Sequence, residues 1–262
     1  MRIVTLLENT TCREDLQYEH GLSLYIETGN TRILFDAGQT GIFAHNAEIL
    51  GVDLAKVDFA VLSHGHYDHG GGLACFLEIN GTAPVYVHRD AFTPHYNGAE
   101  KYIGLDPALA EKPRLIRTCG VTEIAPGITL LDCNDLPRPY GSDPFGLNAV
   151  KDGKLQPDSF GHEQYLLIRE GEKTFLFSGC SHKGILNIAE WFHPDVLVGG
   201  FHFVKLDPVR DGLRLEAAAR SLLTHPTEYY TGHCTGAAAY AFLKDRMGQR
   251  LHSLQTGKVL VI

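Results

Sequence analysis

Three imidazoles and a carboxylate fall within six residues, at His64-Gly65-His66-Tyr67-Asp68-His69. These are borderline-soft ligands of the kind that Zn²⁺, Fe²⁺ and Mn²⁺ accept. His64 and His66, two residues apart, can converge on one ion, while Asp68 and His69 point at a second. With the His and Asp frequencies of this chain, HxHxDH arises by chance roughly twice in a thousand such chains. A solvated histidine-rich loop is therefore the poorer account. Two cations held about 3–4 Å apart lower the pKa of a water toward about 7 and stabilise an oxyanion, which is the chemistry of metal-assisted hydrolysis. Asp68 can also serve as general base for the attacking water.

Such a cluster needs elements that aim it. The apolar run Asp58-Phe59-Ala60-Val61-Leu62 has the length of a buried strand and leads directly into the histidines, and Gly70-Gly71-Gly72 supplies a tight turn behind them. Upstream, Met1 to Glu8 reads as a short strand, and Leu22 to Ile26 and Arg32 to Phe35 form a hairpin about Gly29-Asn30. Helical spacing predicts helices over 42–50, 70–80, 185–191, 215–223 and 237–247. Further strands are expected at 84–88, 128–131, 165–168, 174–177 and 196–198. Residues 134–161, rich in Pro, Gly and Asp, read as one long functional or mobile loop. There is no internal repeat and no linker, and strands and helices mix throughout. One layered α/β domain over residues 1–262 is the expectation.

Composition narrows the partners. Lys plus Arg is 23 and Asp plus Glu is 31, a net charge of −8, and no basic run offers a footprint for a phosphate backbone. Nucleic acid is disfavoured, and a small-molecule substrate is expected. No apolar stretch reaches bilayer-spanning length, and the N-terminus lacks a signal-peptide pattern, so no membrane partner is expected. Six scattered cysteines without a CxxC pair read as reduced thiols of a cytoplasmic protein. Nothing in the sequence indicates the oligomeric state.

Taken in order, Phe35-Asp36-Ala37-Gly38, HxHxDH at 64–69, Ser178-Gly179 at a strand end and Gly232-His233 near the C-terminus resemble the metallo-β-lactamase superfamily. The resemblance implies the αββα four-layer sandwich, with the site at one edge of the two sheets. A closer resemblance is to the subfamily of the dihydropterin–ribofuranosylaminobenzene phosphate synthase. It is carried by His20-Gly21-Leu22-Ser23, His45-Asn46-Ala47-Glu48, Glu163-Gln164, Ser178-Gly179-Cys180-Ser181-His182, Gly199-Gly200-Phe201-His202 and Gly232-His233-Cys234-Thr235-Gly236, besides HxHxDH. Where the superfamily places a metal-bridging Asp, this chain has Cys180, whose thiolate can ligate a soft metal, so the resemblance leaves two readings: two ions with a different bridge, or one ion held more tightly.

The resemblance implies a first ion, Zn²⁺ with Fe²⁺ or Mn²⁺ as alternatives, on His64, His66 and either His162 or His182. A second ion would take Asp68, His69 and His233, with Cys180 close to both. Asp36 is expected either to hold a ligand imidazole by its ring N–H or merely to begin a turn. His202 and Glu163 are candidates for the substrate pocket, and Glu163 is also the alternative to His162. His20, His45, His88, His95, His193, His225 and His252 read as ordinary surface or core histidines, and Cys234 as a small buried hydrophobe. The implied activity is a metal-dependent hydrolase. The alternatives are a pterin-phosphate synthase-like transferase and a non-catalytic metal or ligand sensor. A nuclease ranks lower on charge, and lactam hydrolysis has only the fold's name behind it.

Overall fold

Alternation of side chains along the strands builds the molecule. In Arg2–Leu7, Ile3 faces one way while Val4 and Leu6 face the other. In the neighbouring strands Leu24, Ile26, Ile33, Phe35, Phe59 and Val61 share the face of Ile3, and Tyr25, Leu34 and Ala60 share the opposite one. A second sheet alternates in the same way. Leu166, Ile168, Phe175, Phe177, Val196 and Val198 turn toward the first sheet, whereas Tyr165, Leu176 and Leu197 turn outward. Two sheets apolar on both faces need helices outside, and they have them. Ile42–Ile49 and Leu73–Ile79 cover the first sheet, and Ile185–Phe192, Gly212–Leu223 and Ala237–Met247 cover the second. The result is a four-layer αββα sandwich, seen in a computed structural model that describes all residues, Met1–Ile262.

Each sheet has seven strands, part antiparallel and part parallel. The first runs, in spatial order, Val259–Val261, Arg2–Leu7, Ser23–Thr28, Thr31–Phe35, Phe59–Val61, Val85–His88 and Leu115–Thr118, with the last four parallel. The second runs Leu251–Ser253, Glu228–Thr231, Val196–Gly199, Lys173–Ser178, Tyr165–Glu170, Ile128–Leu131 and Val121–Ala125, with the first four parallel. HxHxDH follows the C-terminal end of Phe59–Val61. Cys180, His202 and His233 follow the C-terminal ends of three adjacent parallel strands of the facing sheet. The loops that carry chemistry thus gather at one edge of the sandwich.

Two expectations change. Residues 134–161 are not one unstructured loop: Leu147–Lys151 and Lys154–Pro157 form a hairpin that joins His95–Asn97 and Lys101–Tyr102 in a third, four-stranded sheet. Its strands are short and mostly exposed, so they show little of the apolar alternation that marks a strand. The helix expected over 70–80 is split into Tyr67–Gly70 and Leu73–Ile79, broken at Gly71 and Gly72. No helix is long and apolar enough to cross a membrane.

Candidate metal centre

Asp36 organises the cluster. Fully buried, and with φ of +59° in the left-handed region that Asp tolerates, it turns its carboxylate onto the strand end carrying the histidines. Oδ1 accepts the Ser63 backbone N–H at 2.7 Å, and Oδ2 accepts the Ser63 hydroxyl at 2.7 Å and His69 Nδ1–H at 2.6 Å. Having given its only proton to Asp36, Ser63 Oγ accepts from His64 Nδ1 at 2.8 Å. Across the site His233 Nδ1 donates to Asn9 Oδ1 at 2.9 Å. In all three rings the proton is therefore on Nδ1, and Nε2 is left with a bare lone pair. Hydrogen-bonded partners of this kind fix the tautomer of metal-ligating histidines.

Those lone pairs converge. His64 Nε2 lies 3.2 Å from His182 Nε2, His69 Nε2 lies 3.1 Å from His233 Nε2, and Cys180 Sγ lies 3.2 Å from His69 Nε2. Asp68 Oδ2 is 3.3 Å from His233 Nε2. His69 and His233, both protonated on Nδ1, have no proton to share between their Nε2 atoms. Their separation matches the edge of a coordination tetrahedron, about 3.3 Å for metal–nitrogen bonds of about 2.0–2.1 Å. Nε2 of His66 is buried without any partner, and His66 groups with His64 and His182 with all ligand atoms within 4.8 Å. The residues fit two cations: His64, His66 and His182 for one, and Asp68, His69 and His233, with their ligand atoms 3.1–3.8 Å apart, for the other, with Cys180 beside His64 and His69.

The electrostatics suit the task. Burial, reinforced by the neighbouring imidazoles, holds His64, His66 and His182 well below the ordinary imidazole value, so they stay neutral ligands. Burial pushes Asp68 upward, but His69, His20 and His233 outweigh it and hold the carboxyl well below its usual range. His69 is the exception. Burial lowers it, yet Asp36 and Asp68 carry it above its ordinary value, the direction set by two carboxylates beside one imidazole.

The sequence pattern of the Metallo-beta-lactamase superfamily matches residues 18–217. The chain belongs to the metallo-beta-lactamase superfamily. Within it, the chain is 31% identical over 258 residues to an uncharacterized protein of Methanocaldococcus jannaschii, covering 93% of this chain and 94% of that one. It is 27% identical over 269 residues to the 7,8-dihydropterin-6-methyl-4-(beta-D-ribofuranosyl)-aminobenzene-5'-phosphate synthase of the same organism, covering 92% of this chain and 90% of the synthase. Among solved structures it superimposes on Tm1679, a metal-dependent hydrolase of the beta-lactamase superfamily, with a TM-score of 0.84 and 29% identity over 100% of this chain and 99% of that chain.

The two candidates for the third ligand of the first set, His162 and His182, have different surroundings. His162 lies beside that set, grouped with His66, His95 and Asp158 with all ligand atoms within 4.8 Å, but its ring is engaged elsewhere. Nδ1 accepts the Gly65 N–H at 2.8 Å and Nε2–H points at Asp158 Oδ2 at 3.2 Å, so neither nitrogen has a lone pair to spare. His182, the other candidate, brings its Nε2 to 3.2 Å from His64 Nε2. Glu163 does not face the substrate pocket either: Oε1 accepts the His182 N–H at 2.7 Å, and Oε2 accepts the Lys183 N–H at 3.0 Å and the Tyr165 hydroxyl at 2.7 Å. Its role is to hold the turn that presents His182. Gly179 belongs to the same device, because a Cβ there would run into Ser63 Oγ and press on His64 Nδ1.

Two histidines read from sequence as ordinary lie at the centre. His20 accepts from Asn9 Nδ2 on Nδ1 at 3.3 Å, so its Nε2–H faces Asp68 Oδ2 at 3.1 Å and orients that carboxylate. The only signal for it was His20-Gly21-Leu22-Ser23 among the matching segments. His95 lies against His162, rings tilted by 34° with centroids 3.9 Å apart, and donates Nδ1–H to Asp158 Oδ2 at 2.9 Å. Neither His95 nor Asp158 carried a sequence signal, since the third sheet that brings them together was not visible. His88 pairs with Asp132 at 3.2 Å and His193 with His225 at 3.0 Å, and neither pair contributes to the two sets above.

A cavity of about 590 Å³ adjoins the first ligand set. Its walls include His182, His202, Tyr140, Phe145, Phe203 and Arg214. Arg214 lies 3.6 Å from Asp143 and over the Phe145 ring at 5.5 Å. Part of the segment 134–161 closes one side, which gives that stretch a position beside the site.

Proposed function

We propose that the protein is a metal-dependent hydrolase acting on a small substrate, with phosphorylated compounds as the leading class. The observation that carries this reading is the convergence of two His/Asp ligand sets beside a cavity whose wall includes one of the ligands, His182. Cations bound at the two sets would lower the pKa of a water and offset negative charge developing on a substrate oxygen. The chain's own residues do the rest. His64, His66 and His182 hold one cation, and Asp68, His69 and His233 hold the other, with Cys180 between them; Zn²⁺ suits this donor set. Asp68, kept ionised and steered by His20 Nε2–H, orients the attacking water and takes its proton. Tyr140, Phe145 and Phe203 exclude solvent around the substrate, and Arg214 is placed for an anionic group. All six cysteines are free thiols, in keeping with a reducing cytoplasmic compartment. The net charge of −8 speaks against a nucleic-acid substrate.

His66→Ala and Asp68→Ala should each lose bound metal, measured by elemental analysis of the purified protein. Retention of full metal content by both overturns the centre. A second reading, a synthase-like transferase of phosphorylated pterin-type substrates, is supported by 27% identity across 92% of the chain to the dihydropterin synthase of Methanocaldococcus jannaschii. Assays of zinc-loaded protein with phosphodiester, lactone and thioester substrates discriminate. Turnover of any one that disappears in Asp68→Ala supports the hydrolase, and inertness to all three favours the transferase.

A further inference from the structure

Beside the two His/Asp sets the second sheet delivers three more soft donors to one point. Lys173–Ser178, Val196–Gly199 and Glu228–Thr231 are adjacent and parallel, and the loops beyond their C-terminal ends carry Cys180, His202 and Cys234. One ligand atom from each, two sulfurs and an imidazole nitrogen, lie within 4.8 Å of one another. The three loops are laced together. Gly200 N–H donates to Gly179 O at 2.8 Å, Phe201 N–H to Thr235 Oγ1 at 2.9 Å, Val204 N–H to Cys234 O at 2.9 Å, and Cys234 Sγ–H to Cys180 O at 3.4 Å. Position 200 is glycine because a Cβ would fall against Cys234 Sγ.

Cys180 and Cys234 are both buried. The decisive observation is His202. Both of its ring nitrogens are buried with no hydrogen-bond partner in the protein, and its backbone sits at φ of +55°, a costly conformation for a non-glycine residue. An imidazole held in that way, with two thiols in reach, lacks only a ligand.

We propose that Cys180, Cys234 and His202 form a third metal site, which takes one thiophilic d¹⁰ cation such as Zn²⁺, Cd²⁺ or Cu⁺. Two thiolates and an imidazole select soft cations over Mg²⁺ or Mn²⁺. Each thiol gives its proton to solvent as its sulfur–metal bond forms. The three protein ligands leave a fourth position, and His202 is itself a wall of the cavity, so that position is on the cavity side. Cys234 and His202 are absent from both His/Asp sets, so their variants test this site separately from the proposed hydrolytic centre.

The test is cadmium titration of the zinc-loaded full-length protein, read by the near-ultraviolet thiolate-to-cadmium charge-transfer band and by metal content after desalting. Wild type is expected to take up one cation more than Cys234→Ser, and the part of the band that this extra cation contributes is expected to be missing in that variant. His202→Ala should weaken cadmium binding about tenfold or more. It also keeps the test decisive if Cys234→Ser fails to fold, because its ring lies at the cavity wall. Equal stoichiometry and equal bands in wild type and Cys234→Ser, or unchanged cadmium affinity in His202→Ala, overturn the site. Failure of the hydrolytic centre shows separately, as metal retention in His66→Ala and Asp68→Ala.

Discussion

Asp36→Asn isolates the device that sets the imidazole tautomers. Asn is isosteric and tolerates the left-handed backbone of this position, so the substitution adds no strain at φ of +59°. If the amide oxygen keeps the Ser63 N–H, the amide nitrogen replaces Oδ2 and faces two donors, the Ser63 hydroxyl and His69 Nδ1–H. Two hydrogen bonds to a buried charge are lost, each worth about 1.5–3 kcal/mol. Rotation of the Ser63 hydroxyl and a proton shift on His69 recover part of this, leaving a net cost of about 2–4 kcal/mol. For a chain of this size that is a fall of about 5–10 °C in Tm of the metal-free protein. The proton shift has a second effect. It moves the His69 proton to Nε2, the atom facing Cys180 and His233, and frees His64 to follow through Ser63. Loss of such a partner costs about 10–100-fold in metal affinity. Zinc competition against a chromophoric chelator measures this, with thermal melts in chelator giving the stability term. Ser63→Ala, which removes the His64 partner and one donor to Asp36 but leaves the Asp36–His69 bond in place, should weaken zinc less than Asp36→Asn. Zinc affinity in Asp36→Asn equal to that of wild type would refute the tautomer argument, whatever happens to Tm.

Three other outcomes are expected. His162→Ala should destabilise the protein by about 2–4 kcal/mol, because Gly65 N–H and one Asp158 contact lose their partners in a buried site, yet metal stoichiometry should be unchanged. A lost metal ion in that variant would restore His162 as a ligand. The metal-free protein should weaken on acidification. Burial holds His64, His66 and His182 well below 6.5 and His162 at about 4, so the unfolded chain binds protons first as pH falls below about 6.5, and His69 alone among these opposes the trend. Urea midpoints in chelator should therefore drop steadily from pH 7 to pH 5, and a flat profile contradicts the burial of neutral imidazoles. Finally, Glu163→Ala should lower Tm and loosen zinc at the first set together, since the carboxylate anchors the His182 turn; an effect on catalysis alone, with Tm and zinc unchanged, would return Glu163 to the substrate pocket.

Much of this protein is written in local pattern. Period-two alternation through residues 22–35, 58–62, 165–168 and 174–177 decides which side chains face the neighbouring sheet and which face helices, and two sheets apolar on both sides have few ways to pack. HxHxDH is equally local, because its four candidate ligands arrive on one strand end and one turn. Asp36, Cys180 and His233 could be placed by their order along the chain.

What the chain could not settle alone are choices between chemically equal residues far apart. His162 and His182 offer the same imidazole, and only the structure shows that the Gly65 N–H and Asp158 engage both nitrogens of His162 while His182 Nε2 faces His64. Glu163 looks like a site carboxylate until three donors from its own neighbourhood take its oxygens. His20, His95 and His202 have no periodicity to betray them, and their meaning comes from partners brought together by sheet pairing across tens to hundreds of residues. Sequence determined the donor types and the sandwich that carries them, since both follow from short-range pattern and burial. The tertiary structure alone decided which lone pairs remain free, since that depends on every hydrogen bond the folded chain makes around them.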